Sequence, residues 1–356
     1  MILDVGEDED KKQKELNDDF TINEAEGTDV KVFEKFILGN TDTPWLCAKF
    51  SDTDEYIVSW YSNGAIELFD ADAGESVWTL EQNEEESKKA VCTMVKWRPE
   101  ENPDSILAVD VKGLIRRYSM KEKKEVELIT PEEGEDNRLF ALDYSPNGET
   151  FAVAGTDHFV RVYDDATMKL KSVMDPFYTN KTGHSNRIFC VKYNKMNPNV
   201  IASAGWDNTI IIHDIRKKGP VSGLLGAYVC GDGLEFFGTE VISGSWRLEN
   251  QLEQWDTRTT EKIKTIDWDG DDFTSDEPIR LFWVERSHHE SINSVLIAGG
   301  GESNELRVFN NDLKPVVNIT DVSRGIFTCD ISNHCDSFLF AGGDGVIRIC
   351  KLVVYN

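Results

Sequence analysis

Three residues of the kind that build an activated nucleophile stand near one another in the middle of the chain: His184, Ser203 and Asp207. A serine oxygen within reach of a histidine, whose tautomer a carboxylate fixes, is the chemistry of acyl transfer. The flanking sequence does not support that use, because no G-x-S-x-G elbow and no glycine-rich phosphate loop in strand–turn–helix context accompanies the three. The run Asp267, Trp268, Asp269, Gly270, Asp271, Asp272 opens like a calcium loop. Its sixth and twelfth positions, which should supply glycine and a bidentate glutamate, are Asp272 and Pro278. His288-His289 and His334-Cys335 lack a second ligand pair at zinc spacing. The expectation is a chain without catalytic residues, metal or cofactor.

Whatever these side chains do, a repeat positions them. Residues 201–214 read IASAGWDNTIIIHD, and 57–70, 106–119, 151–164 and 338–351 align to them without a gap. Residues 241–256 and 296–310 fit with insertions, which makes seven copies. A period of roughly 40–50 residues marks a repeat architecture. Each copy is an apolar run, a two-residue break and a second alternating run. The breaks, Asn63-Gly64, Lys112-Gly113, Asp157-His158, Asp207-Asn208 and Asp344-Gly345, carry residues tolerant of positive φ, which predicts hairpins with type I′ turns. Further strands precede most copies, among them WLCAKF (45–50), LFALDY (139–144) and IFCVKY (188–193), and a short run follows each. Four strands in each of seven units predict an all-β, seven-bladed β-propeller of four-stranded antiparallel blades.

The pattern resembles the WD-repeat family over about residues 30–354. Copy four carries the likeness best, with Gly183-His184, Asp207, and His213-Asp214 where the family usually has Trp-Asp; copy five has Trp255-Asp256. The resemblance implies that His184, Ser203, Asp207 and His213 form a buried hydrogen-bond network and not a catalytic centre. It also implies that an N-terminal strand completes the last blade. Residues 29–38 suit that strand, which divides the chain into an acidic, unstructured tail (1–28) and the propeller (29–356). His213-Asp214-Ile215-Arg216 and Trp255-Asp256-Thr257-Arg258 are similar to the box by which some WD-repeat substrate receptors dock on the cullin-4 ligase adaptor, making Arg216 and Arg258 candidate contacts.

Composition narrows the partners. With 65 Asp and Glu against 38 Lys and Arg, the net charge is −27, which argues against direct nucleic-acid binding. Acid runs at 84–86, 132–136 and 267–277 fall between repeats, in connections that the WD-repeat resemblance puts on the face of the hairpin turns, which implies an acidic sector there, a solvated rim or a lure for a basic partner. No run of about 18 apolar residues exists, so no membrane insertion is expected. Seven cysteines without C-x-x-C spacing read as packing residues in a reducing compartment. The expected setting is the cytoplasm, in association with cytoskeleton or cilium, with the nucleus second.

Trp206 and Trp246 occupy one hairpin column of neighbouring repeats, where other copies hold Ser62, Val111, Thr156, Gly301 or Gly343. Arg138 and Arg187 share the column before the strands of NRLFAL and NRIFCV, and Arg247 follows Trp246. Indoles beside cations suit capture of a partner segment. The expected function is a non-catalytic scaffold for protein–protein interaction in a larger assembly, with Trp206, Trp246, Arg138, Arg187 and Arg247 as its contact patch. The alternatives are a cullin-type ubiquitin-ligase substrate receptor and an acidic chaperone for basic proteins such as histones.

Overall fold

The computed structural model describes residues 20–39, 45–62, 64–80, 91–99, 104–130, 137–274, 279–287 and 294–355. Seven antiparallel sheets follow one another along the chain, each built from its inner strand outward. The inner strands are Trp45–Phe50, Cys92–Trp97, Leu139–Tyr144, Ile188–Asn194, Leu234–Phe237, Arg280–Arg286 and Ile326–Ile331. Each inner strand touches the next, and the seventh touches the first, so the ring is closed. This is the expected seven-bladed propeller. The second strand of each blade is buried almost throughout, as in Thr150–Gly155, because sheets cover both of its faces. The fourth strands of blades one, two, three and five, such as Lys124–Ile129, are mostly exposed.

Two strands precede the first blade: β1 (Thr21–Glu24) and β2 (Val30–Gly39). β2 pairs antiparallel with Val346–Val354, from Val30 opposite Val354 to Gly39 opposite Val346, and so supplies the outer strand of blade seven. The closing strand lies where the sequence placed it. The tail boundary at residue 28 needs correction. β1 pairs with Pro315–Thr320 and gives blade six a fifth strand. Ahead of it the Phe20 ring meets Phe340 edge-on at 5.6 Å. Acidity concealed this strand, but Phe20 and Ile22 alternate with polar residues and pack against the core. Residues 1–19, the acid runs at 84–86 and 132–136, the end of the run at 267–277, and His288-His289 lie outside the described residues.

The hairpin turns also differ from expectation. In blade two Gly113 N donates to Asp110 O (3.1 Å) and Asp110 N to Leu114 O (3.2 Å). The second break residue has positive φ in all five (Gly64, Gly113, His158, Asn208 and Gly345), and the first does not in the four breaks where it is described, Lys112, Asp157, Asp207 and Asp344. This is a type I turn closed by a left-handed residue, the three-residue hairpin loop, and not type I′. A glycine or asparagine at the end of the break satisfies either turn, so the local sequence did not separate them.

Candidate functional site

One end of the channel is built by a repeated irregularity. Near the start of the inner strand the pairing slips by one residue, between Leu139 and Ala141, Ile188 and Cys190, Leu281 and Trp283, and Ile326 and Thr328. A β-bulge leaves its extra residue unpaired and re-aims the side chain. The extra residues are Phe140, Phe189, Phe282 and Phe327, all wholly or partly exposed. The sequence carried this signal as a recurring Leu-Phe or Ile-Phe pair, which the reading of the indoles alone overlooked.

Close backbone contact then fixes the arginines. A Cβ on Gly155 or Gly205 would lie 1.9 Å from the carbonyl oxygen of Arg138 or Arg187, so only glycine lets the strands approach. The following amides bind those carbonyls: Thr156 N to Arg138 O (3.0 Å) and Trp206 N to Arg187 O (3.1 Å). In blade five Trp246 N donates to Tyr228 O (2.8 Å), so Tyr228 stands where the neighbouring blades have arginine.

The side chains form a continuous arc across five blades. Phe140 stacks on Phe189 (4.7 Å between centroids), Phe189 meets Trp206 (4.9 Å), and Trp206 stacks on Tyr228 (6.2 Å). Beyond the Tyr228–Trp246 backbone bond, Trp246 packs on Phe282 (4.3 Å) and Phe282 on Phe327 (5.3 Å). The Arg187 guanidinium lies 5.3 Å from the Trp206 ring and that of Arg280 lies 5.6 Å from Trp246. Arg247 Nη2 donates to Asn208 Oδ1 (2.6 Å), linking the turns of blades five and four. Trp206, Trp246, Arg187 and Arg247 therefore share one sector, and the exposed Arg138 joins them through the Phe140–Phe189 stack. Both indoles are half-buried, and Trp206 Nε1 sits 3.0 Å from Cys230 Sγ in the long loop of its own blade.

The suspected triad has its connectivity without its access. His184 Nδ1 is 2.8 Å from Asp207 Oδ2, His184 Nε2 is 2.7 Å from Ser203 Oγ, and Ser203 Oγ is 2.8 Å from His213 Nε2. Burial pushes the Asp207 carboxyl up, but hydrogen bonds and the His184 charge outweigh it and hold its pKa below the ordinary value. The carboxylate only accepts, so His184 Nδ1 carries a proton. Ser203 Oγ bridges the two imidazoles, and the buried His213 Nδ1 has no partner. Burial, and then the nearby His184 charge, lower the His213 pKa to about 3. Trp255 Nε1 donates to Ser243 Oγ in blade five at 2.8 Å, so His213 replaces the indole N–H of the usual network. Ser203 is fully buried and the His184 side chain is 1% exposed, so no substrate atom reaches the hydroxyl.

A second feature went unread in the sequence. One column of the inner strands is charged in every blade: Lys49, Lys96, Asp143, Lys192, Glu235, Glu285 and Asp330. The side chains meet across the channel. Lys49 Nζ lies 2.9 Å from Glu285 and 2.6 Å from Asp330, while Lys192 Nζ lies 3.0 Å from Asp232, 3.3 Å from Glu235 and 3.4 Å from Glu285. Burial alone would discharge Lys49, but Asp330 and Glu285 raise its pKa. Glu235 is pushed up to about 7, chiefly by burial. A lysine or acid between two apolar residues in six of the seven inner strands (AKF, VKW, LDY, VKY, LEF, CDI), with VER in the sixth blade, was the available signal. The cysteines are free thiols; Cys47 Sγ packs 3.9 Å from Met94 Sδ, as expected of filler.

The sequence profile of the family described as WD domain, G-beta repeat matches residues 127–164 and 176–214, which take in the first three strands of blades three and four. The chain is a WD-repeat β-propeller. Seven blades, the His184–Ser203–Asp207 network and the closing outer strand place the less regular repeats in the same scheme. Over 79 residues the propeller is 32% identical to histone acetyltransferase type B subunit 2 of Candida glabrata, a match covering 22% of this chain and 17% of that protein. The propeller thus spans well under two thirds of that relative's length. WD-repeat propellers are interaction scaffolds, and this one is read as such. Among the described residues no helix is long and apolar enough to cross a membrane, and no group of three or more His, Cys, Asp or Glu is arranged to hold a metal. Arg216 and Arg258 sit at the other end of the blades, each gripping its own neighbour: Arg216 Nη2 to Asp214 Oδ2 at 2.7 Å and Arg258 Nη2 to Asp256 Oδ2 at 2.9 Å.

Proposed function

We propose that the propeller is a non-catalytic scaffold that holds a partner segment across the mouth around blades three to five. One observation carries this reading: the aromatic arc from Phe140 to Phe327, with arginines seated on both of its indoles. Half-exposed aromatic rings are costly on a surface unless something covers them, and Trp, Tyr and Arg are the residues that dominate binding hot spots. The test is a photo-reactive amino acid in place of Phe327, followed by mapping of the cross-linked segments. The Trp206→Ala, Trp246→Ala double variant should fold and lose those partners. If it folds and keeps every one, recognition lies elsewhere on the ring.

A second reading is a chaperone for basic proteins such as histones. The partial match to a histone acetyltransferase subunit and the net charge of −27 favour it. Salt-sensitive binding of purified histones to the propeller supports this reading, and indifference to histones removes it. Arg216 and Arg258 would serve the third, ligase-receptor reading only by releasing their own carboxylates. Charge reversal at both positions should abolish co-purification with a cullin adaptor if that reading is right.

A further inference from the structure

We propose that the mouth selects acidic peptide segments, with partner carboxylates on Arg138, Arg187, Arg247 and Arg324 and a partner apolar side chain on the exposed rings. This rests on the scaffold reading and adds the sign of the partner's charge. In a chain with 65 acids and 38 bases, an exposed arginine has every chance of meeting an acid of its own. The exposed Arg216 and Arg258 do, and so do the half-buried Arg98, Arg116 and Arg117 and the buried Arg307 and Arg348. At the mouth, Arg280 has Glu302 at 3.3 Å. Among the described residues, Arg138, Arg187, Arg247 and Arg324 have no carboxylate partner. Arg187 rests on an indole, and Arg247 donates to a neutral amide. A Cβ on Gly343 would lie 3.2 Å from the Phe327 ring and 3.6 Å from Arg324 Cβ, which sets the fourth arginine beside the last ring of the arc.

The arrangement decides the sign. A guanidinium held over an aromatic ring, as Arg187 is over Trp206, spends no N–H donor on it and keeps its planar fork for a carboxylate. A cationic partner would find both indole faces already occupied by arginine and more cations around them. Charge complementarity of this kind speeds encounter and rejects partners of the wrong sign.

The experiment is an array of peptides of about 12 residues with matched apolar content and graded charge, probed with the purified full chain and with an Arg138→Gln, Arg187→Gln, Arg324→Gln variant. Binding should rise with negative charge and weaken about tenfold or more in the variant, at an unchanged melting temperature. Preference for basic or neutral peptides overturns the proposal, as does an acidic preference that the variant retains. Tighter binding of oligodeoxythymidylate than of any peptide, lost in the variant, overturns it too. A basic segment cross-linked at the mouth would refute the charge assignment and leave the scaffold intact. The absence of any mouth cross-link would refute the scaffold reading itself.

Discussion

Replacing His213 with Trp tests the blade-four network through its pH dependence. The histidine is buried and neutral, with its pKa lowered from 6.5 to about 3 by burial and by His184. Above pH 6.5 it is neutral folded or unfolded and adds no pH dependence. Below that value the unfolded chain takes up a proton that the folded chain refuses, so stability is lost as pH falls, at about 1.4 kcal/mol per unit. By pH 5 the unfolded chain is almost fully protonated there, and the loss relative to pH 8 is about 2 kcal/mol. Glu235, raised to about 7, has the opposite slope, since the folded state holds a proton that the unfolded state releases. It is present in both proteins and cancels in the comparison. Trp255 on Ser243 shows that an indole donor fits this position in a neighbouring blade. Urea unfolding followed by far-ultraviolet circular dichroism at pH 8, 6.5 and 5 should show the wild type losing about 2 kcal/mol more than His213→Trp. Parallel losses in the two proteins would mean that His213 titrates normally and that the proton assignments of the network are wrong.

Four further outcomes follow from the geometry. Deleting the chain through Leu38 removes β2 and bares the edge of Val346–Val354, and should cost about 5 kcal/mol or more in denaturant unfolding. Deletion only through residue 28 takes β1 and Phe20 and should cost measurably less, and equal losses would contradict the closure. Glu285→Gln takes the shared carboxylate from Lys49 and Lys192 but leaves Asp330 beside the first and Asp232 and Glu235 beside the second, and should destabilise by about 1–3 kcal/mol, whereas a neutral result would show that water reaches the charges. Gly205→Ala drives a methyl into the Arg187 carbonyl and should cost about 3 kcal/mol or more by thermal unfolding. Asp207→Ala removes the acceptor for His184 Nδ1 and Ser185 N and should cost about 1–3 kcal/mol; a stable variant that loses a hydrolase activity would restore the nucleophile reading.

The period of the apolar runs and the turn residues between them were enough for the blade count, and the resemblance to WD repeats placed the strand that closes the ring. The blade count follows from local alternation and from copy number, which a linear string records. Copy four also showed its network, because Gly183-His184, Asp207 and His213-Asp214 keep their relative order. β1 was harder to read: four residues in an acidic stretch become a strand only because Pro315–Thr320 offers an open edge, an event about 300 positions away in the chain.

The channel charges and the mouth depended on the ring. Lys49, Glu285 and Lys192 come from blades one, six and four, and their pairing arises only when the inner strands converge on a common axis. No spacing along the chain encodes that distance. The recurring Leu-Phe and Ile-Phe pairs are visible in the sequence, yet an ordinary strand would send each phenylalanine into the sheet interface. The bulge turns them toward the mouth instead, and the glycine contacts lock the arginines beside them. Strand number was thus written in alternation and repeat length, whereas the identity of the mouth came from where bulges and close backbone contacts aim side chains of five different blades.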